Sequence, residues 1–247
     1  MPPCVRRFER TIPVHVLERE ADLTRTQREG LGKIETLTLL GVAQETTTSI
    51  PATPATDRRI DAVLFVRASL GNTRALESTA TVVHACFPHP SVLILENARG
   101  DVCLSAALTS RRKRATGFAV NAMEADSDIG SWRRTEQGKA FLSSLAFETL
   151  DQRSLAHLTQ DIMARIRLAR VARLVGFYPD PGLCRTPDVV AVIERLLECQ
   201  GRQDRLRARW KAHGTTQRER LQLRIPLSEA IDQTKAAVDE LTRRCGR

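Results

Sequence analysis

Residues Phe87–Leu108 read FPHPSVLILENARGDVCLSAAL, two apolar runs separated by a short polar turn. The first run, Val92–Glu96, is apolar and β-branched, and the second is Val102–Leu108. Two such runs around a turn that contains a glycine, here Gly100, are typical of a β-hairpin. The two prolines before the first run end whatever element precedes it, because proline restricts its own backbone and that of the residue before it. The stretch therefore predicts a strand pair at the centre of the fold.

The segments before this hairpin alternate between helical and extended patterns. A helix that Asp22 or Thr24 would cap precedes two β-like segments, Ile34–Val42 and Ile60–Val66. A second helix is predicted over Arg74–Cys86. The resulting order, α-β-β-α-β-β, predicts an α+β fold in which a small antiparallel or mixed sheet carries helices on one face.

The character of the sequence changes after the hairpin. Trp132 and the run Ala140–Phe147 suggest one or two more strands, and from about residue 150 the pattern becomes helical, beginning with Ser154–Leu174. We therefore predict two domains: an α+β domain over residues 1–150 and a basic helical region over residues 151–247.

The helical region predicts a C-terminal helical hairpin or coiled coil. Thr186 followed by Pro187 is a strong helix start, and a glycine at residue 214 ends that helix. Thr216 with Glu219 is a candidate capping box for the next helix, in which Pro226 is expected to cause a break or a kink.

Both helices carry apolar stripes at heptad spacing, which would pair with each other or with a partner helix. The candidate seam residues are Val192, Leu196, Leu206 and Trp210 in the first helix and Leu227, Ile231, Val238 and Leu241 in the second. Gln203 and Thr234 interrupt the two stripes. A hairpin within the chain is the preferred interpretation, with docking of a partner second.

The charge of the chain points to an acidic partner. Its formal net charge is +9, and from residue 150 onward 19 Lys and Arg stand against 12 Asp and Glu. Nucleic acid or an acidic protein surface would meet this end, although an arginine-rich solvated surface gives the same balance. The candidate binding residues are Arg111, Arg112, Lys113, Arg114, Arg202, Arg205, Arg207, Arg209 and Lys211.

No motif of a known catalytic class occurs in the sequence, so we predict no enzyme activity, no cofactor and no metal site. The alternative is a metal-dependent nuclease with a non-standard carboxylate site, for which Asp61, Glu96 and Asp101 are the candidates. His89, between two prolines, is a candidate base or, more simply, a turn residue.

The cysteines and the absence of targeting signals indicate a reducing compartment. The six cysteines form no CxxC pair, and Cys86 and Cys103 lie in apolar context as predicted core thiols. No signal peptide or membrane-spanning run is evident. We therefore expect a soluble cytoplasmic protein that does not bind membranes.

The order of these segments resembles an uncharacterised bacterial family, the domain of unknown function 4391. Members share an N-terminal Ile-Pro segment, a Thr- and Pro-bearing loop before a strand, an "IPHPIIF"-like element before a hairpin, and a charged helical C-terminus. The matching segments here are Ile12-Pro13, Glu45–Thr53, Arg59–Phe65 and, most specifically, Phe87–Leu95. The chain departs from the family in lacking its usual Tyr at the end of the hairpin, over Ala106–Arg112, and in carrying Pro226.

Genes of this family are commonly found beside helicases and DNA methyltransferases in restriction-like or phage-defence clusters. The resemblance thus implies a non-catalytic accessory subunit of a DNA-targeting defence system. A helicase, a DNA methyltransferase or both would be its partners, with DNA as a further candidate ligand. The family has no established catalytic residues, so none are implied here.

Overall fold

The computed structural model describes residues 6–20, 23–53, 59–111 and 118–246. The chain divides into two compact units, Met1–Ala169 and Arg170–Arg247, and each unit is described by itself. None of the helices in the described ranges is both long enough and apolar enough to cross a membrane.

A six-stranded mixed sheet forms the centre of the first unit, and its strands lie side by side in chain order. All neighbouring strands are antiparallel except β3 and β4, which are parallel. This confirms the predicted α+β class. The strands are β1 Arg6–Thr11, β2 Ile34–Gln44, β3 Ala62–Leu70, β4 Ser91–Asn97, β5 Val102–Arg111 and β6 Phe118–Asp126.

The helices of the described chain surround the sheet and form most of the second unit. They are α1 Val14–Glu20, α2 Arg25–Leu31, α3 Glu45–Thr48, α4 Leu76–Ala85, α5 Ile129–Trp132, α6 Glu136–Ser144, α7 Leu155–Val175, α8 Pro187–Lys211 and α9 Gln217–Arg244. The first part of α7 belongs to the first unit, while its last turns, α8 and α9 belong to the second.

The predicted hairpin is confirmed as β4 and β5, which pair in antiparallel register with Leu95 opposite Cys103. Gly100 adopts a positive φ of 80° in the turn, which is why a glycine is found there. The Asn97 side chain holds the turn, because its oxygen accepts hydrogen bonds from the backbone N–H groups of Arg99 (3.0 Å) and Asp101 (2.9 Å).

The main core lies between one face of the sheet and α1, α2 and α4. The β3–α4–β4 connection lets the two parallel strands bury alternate residues, among them Val66 and Leu93, against Val83 of α4. Cys86 and Cys103 are both buried, as predicted, and burial raises the pKa of each thiol to about 12.

The opposite face of the sheet is approached by α7. Glu124 of β6 precedes the core residue Ala125, so its side chain points to the other face of the sheet. There its carboxylate lies 2.6 Å from the guanidinium of Arg167. The part of α7 around Arg167 thus lies on the side of the sheet away from α4.

The strands predicted around Trp132 and over Ala140–Phe147 are wrong, because these residues form α5, α6 and a short 3-10 turn. Thr135 caps α6 by accepting a hydrogen bond from the Gly138 N–H (3.2 Å). A Cβ on Gly138 would lie 2.3 Å from the Trp132 carbonyl oxygen, so glycine allows the two helices to meet. The fully buried Phe141 then stacks on Trp132, with ring centroids 5.8 Å apart.

Candidate functional site

The candidate site of the second unit is built on α8 and α9, which pack against each other as the predicted hairpin. The helix α8 begins at Pro187, as predicted, although the Thr186 hydroxyl donates to the Leu183 carbonyl (3.0 Å) instead of capping the helix. The predicted capping box of α9 is confirmed: Thr216 N–H donates to the Glu219 carboxylate (2.7 Å), and Glu219 N–H donates to the Thr216 hydroxyl (3.2 Å).

Of the break or kink predicted at Pro226, the break does not occur, because α9 runs without interruption from Gln217 to Arg244. Proline removes one backbone hydrogen bond from the interior of a helix. The residues on either side of it continue to pack, since Leu223 and Ala230 are both buried. Tertiary packing therefore carries the helix across a residue that would break it in isolation.

The structure places the predicted seam residues of α8 on its packed side. Val192 and Leu196 are buried, and Leu206 and Trp210 are half-buried. The packed side of α9 differs from the predicted stripe: Leu241 is buried, Leu227 and Val238 are half-buried, and Ile231 is 40% exposed. The buried positions of α9 are Leu223, Ala230, Thr234, Ala237 and Leu241.

Small residues explain this difference on α9. Ala230 and Ala237 occupy buried positions one heptad apart, where the sequence pattern favoured the larger Ile231 and Val238. Alanine permits closer approach of two helices but contributes little apolar area. A pattern of large apolar residues therefore predicts the neighbouring positions, Ile231 and Val238, as the packed ones.

The two polar residues that interrupt the stripes meet across the hairpin. With its oxygen oriented toward Arg207, the Gln203 amide accepts from that guanidinium (2.9 Å) and its nitrogen donates to the Thr234 hydroxyl (3.2 Å). The Thr234 hydroxyl in turn donates to the Ala230 carbonyl (2.8 Å). Each buried polar group thus has a partner, as the low dielectric constant of a packed seam requires.

The candidate cations of α8 occupy two sides of the helix. Arg202, Arg205 and Arg209 follow one another at spacings of three and four, so they form one exposed stripe. Within the described part of the chain, no carboxylate lies within 4.0 Å of these three guanidinium groups. By contrast, Arg195 earlier on α8 forms an ion pair with Glu240 of α9.

The other candidate cations lie elsewhere. Arg207 bonds to Gln203, and Lys211 follows it by four residues, which places both on the opposite side of α8 from the stripe. Arg111 is the last residue of β5, and the rest of the predicted basic run, residues 112–114, lies outside the described residues.

The carboxylates proposed for a nuclease are not brought together. Asp61 precedes β3, whereas Glu96 lies beside Ser69 near the other end of that strand. Eight residues of extended chain separate the two positions, about 25 Å along the sheet. Glu96 pairs with Arg67 (2.7 Å), and the Asp101 carboxylate accepts a hydrogen bond from the Asn97 side chain (2.8 Å).

Asp61 instead meets the candidate base, because its carboxylate lies 3.3 Å from Nδ1 of His89. Among the residues that the structure describes, no group of three or more His, Cys, Asp or Glu side chains could hold a metal ion. The Asp61–His89 contact also joins the start of β3 to the loop before β4, as a turn histidine would.

Two features were missed by sequence reasoning. His84 is a fully buried histidine whose ring lies between the hydroxyls of Ser91 (2.6 Å) and Ser105 (2.9 Å). Its only sequence signal is a polar residue on the apolar face of α4. The second feature is a pair of strongly exposed aliphatic residues on α9, Leu221 and Ile225, which stand one turn apart among arginines.

Comparison with known protein families identifies a match. A family described as a domain of unknown function (DUF4391) matches residues 3–233, which include parts of both compact units. No curated protein and no solved structure matches the chain.

Proposed function

This chain belongs to the DUF4391 family, and from that premise we propose that it is a non-catalytic accessory subunit of a cytoplasmic, bacterial DNA-targeting defence or restriction-like system. In this proposal the chain binds a helicase or a DNA methyltransferase encoded beside it, and its C-terminal hairpin contacts DNA. The neighbourhood of such genes motivates the choice of partners, and the charge of α8 motivates the choice of ligand.

The observation that carries the proposal is the exposed stripe of Arg202, Arg205 and Arg209. Seven residues of helix place the first and last of these about 10 Å apart along one face. Guanidinium groups in this arrangement suit the phosphates of a nucleic acid backbone, because each can donate two parallel hydrogen bonds to phosphate oxygens. Because these contacts are made to phosphate, we expect little sequence preference.

DNA binding by the full chain tests the nucleic-acid part of this proposal. Fluorescence anisotropy with labelled duplex and single-stranded DNA would be recorded over a range of salt concentrations for the wild type and for Arg202→Gln/Arg205→Gln/Arg209→Gln. We expect the triple variant to bind more weakly and the slope of log K against log[salt] to fall by about 2–3 units for duplex DNA.

A matched control removes the same charge from the first unit, in Arg25→Gln/Arg133→Gln/Arg134→Gln, where all three side chains are exposed. Its slope should stay close to that of the wild type. Equal losses in both variants would mean a diffuse charge effect, and no binding even at low salt would remove DNA as a ligand.

The partner is tested by co-expression of the tagged chain with the products of its neighbouring genes, followed by purification and mass spectrometry. A helicase or methyltransferase recovered in stoichiometric amount supports the accessory-subunit proposal. A chain that is recovered alone and binds no DNA contradicts it.

A further inference from the structure

The outer side of α9 carries two exposed aliphatic residues. Leu221 is 62% exposed and Ile225 is 68% exposed. Each lies two residues from the buried Leu223, which is about 200° around the helix. Both side chains therefore project on the side of α9 that is turned away from α8. Their four-residue spacing makes them neighbours on one surface.

Arginines surround this pair, and among the described residues neither Arg218 nor Arg224 forms an ion pair. Arg218 and Arg224 stand three residues before and after Leu221, so both border the apolar pair. Glu219 is the single acidic residue between Arg205 and Ser228. Hydrogen bonds from Thr216 hold the Glu219 carboxylate and keep its pKa below the ordinary value.

We propose that this outer face of α9, defined by Arg218, Leu221, Arg224 and Ile225, docks an amphipathic helix of a partner protein. Apolar side chains of the partner cover Leu221 and Ile225, and its acidic side chains pair with the two arginines. This inference rests on the proposed accessory-subunit function and gives the partner a binding surface separate from the arginine stripe of α8.

The positive charge and the apolar surface of this face together favour an acidic amphipathic helix over other binding partners. A nucleic acid backbone would satisfy the arginines but offers no aliphatic surface for Leu221 and Ile225. A second copy of the chain would bring an equally basic surface against this one. An anionic lipid surface would meet Asp232, which follows Ile225 by seven residues on the same exposed face. A protein helix with acidic residues at one end offers both an apolar surface for Leu221 and Ile225 and negative charge for the arginines.

Two synthetic amphipathic helices with the same leucine face provide the test, one with glutamates and the other with lysines on the polar face. Anisotropy of each labelled peptide would be measured against the full chain at low and high salt. We expect the glutamate peptide to bind, and to weaken as salt rises. Leu221→Gln/Ile225→Gln should lower its affinity about tenfold or more, and Arg218→Gln/Arg224→Gln should lower both its affinity and its salt dependence.

The matched control is Leu142→Gln/Leu183→Gln, which removes two leucines that are 44% and 43% exposed outside this face. Its peptide affinity should equal that of the wild type. Equal binding of the lysine peptide, or glutamate-peptide binding that survives Leu221→Gln/Ile225→Gln, overturns the proposal. The proposal is also overturned if the wild type binds phosphatidylglycerol vesicles, or self-associates as its concentration rises, and Leu221→Gln/Ile225→Gln loses that property. Either result would show that a lipid surface or a second copy of the chain occupies this face.

The same variants separate this inference from the proposed function. DNA binding by Leu221→Gln/Ile225→Gln should match the wild type, because the arginine stripe of α8 is unchanged. If the glutamate peptide binds through this face but no helicase or methyltransferase co-purifies, the docking face stands and the accessory-subunit proposal falls. If a partner co-purifies equally well with Leu221→Gln/Ile225→Gln, the subunit proposal stands and the docking face is wrong.

Discussion

His84 Nδ1 lies 2.6 Å from the Ser91 hydroxyl oxygen in the core of the first unit. On the other side of the ring, Nε2 is 2.9 Å from the Ser105 hydroxyl, whose own proton is donated to the Glu124 carbonyl. Nε2 must therefore carry a proton and donate it to Ser105, while Ser91 donates to Nδ1. One neutral tautomer satisfies every group and links α4 to three strands.

Acid should destabilise the first unit through this histidine. Burial lowers the pKa of His84 from 6.5 to about 3, so below pH 6.5 the unfolded chain binds a proton that the folded chain does not. The contribution of neutral His84 to the free energy of unfolding is therefore complete above pH 6.5. It is lost as the pH falls from 6.5 towards 3, by about 1.4 kcal/mol per pH unit. Urea unfolding of the wild type and of His84→Gln between pH 7 and 4 measures this loss of stability.

The glutamine variant should be less stable than the wild type at pH 7 but should show a shallower decline towards pH 4. His157→Gln is the control, because His157 is a half-buried histidine in the same unit. Parallel pH profiles for the wild type and His84→Gln would show that His84 does not set the slope.

The polar contact across the helical hairpin should contribute little net stability. Replacing Gln203 and Thr234 together, as Gln203→Leu/Thr234→Val, removes both buried polar groups and adds apolar packing, so we expect a gain of about 1 kcal/mol in the free energy of unfolding. Thr234→Val alone should cost about 1 kcal/mol, because the Gln203 nitrogen loses its acceptor.

A double-mutant cycle on urea unfolding measures this coupling. The control pair is Gln200→Leu with Thr234→Val, in which the first residue hydrogen-bonds to Asp204 of its own helix (3.0 Å) instead of crossing the seam. Additive effects in the Gln203–Thr234 cycle would contradict the contact.

Sequence reasoning succeeded where local chemistry determines the structure. The apolar runs around Gly100 specified the central hairpin, and Thr216 with Glu219 specified the start of α9, because turns and caps depend on a few adjacent residues. It failed at Ala140–Phe147, where the Thr135 cap and the close approach at Gly138 outweigh an apolar run typical of a strand.

The candidate site was predictable in part for the same reason. The clustering of cations in α8 is evident from the sequence. Which of them form the exposed arginine stripe, with Arg209, and which contact Gln203, as Arg207 does, depends on where α9 packs. The packed side of α9 was predicted at neighbouring positions, because Ala230 and Ala237 give no strong apolar signal in the sequence. Exposure of Leu221 cannot be inferred from the residue type, since leucine is usually buried.

Proline at position 226 should cost stability that alanine would restore. Pro226 lies inside α9 and removes one backbone hydrogen bond, so Pro226→Ala should raise the free energy of unfolding by about 1–3 kcal/mol. Urea unfolding followed by circular dichroism measures the change. Ser228→Ala, an exposed position in the same helix, is the control and should gain about 0.5 kcal/mol. A less stable Pro226→Ala would mean that the half-buried ring contributes more by packing than the backbone loses.

The ion pair between Asp161 and Arg165 within α7 should be far more costly to break than the neighbouring pair between Arg167 of α7 and Glu124 of β6. Both side chains are buried, at 6% and 4% exposure, and the guanidinium also donates to the Thr149 hydroxyl (3.0 Å). Arg165→Met removes the guanidinium from the buried Asp161 carboxylate and should lower the free energy of unfolding by about 3–5 kcal/mol. Arg167→Met is the control, because Arg167 is 36% exposed where it pairs with Glu124, and it should cost about 1 kcal/mol or less. Equal losses in the two variants would show that burial does not set the cost of this pair.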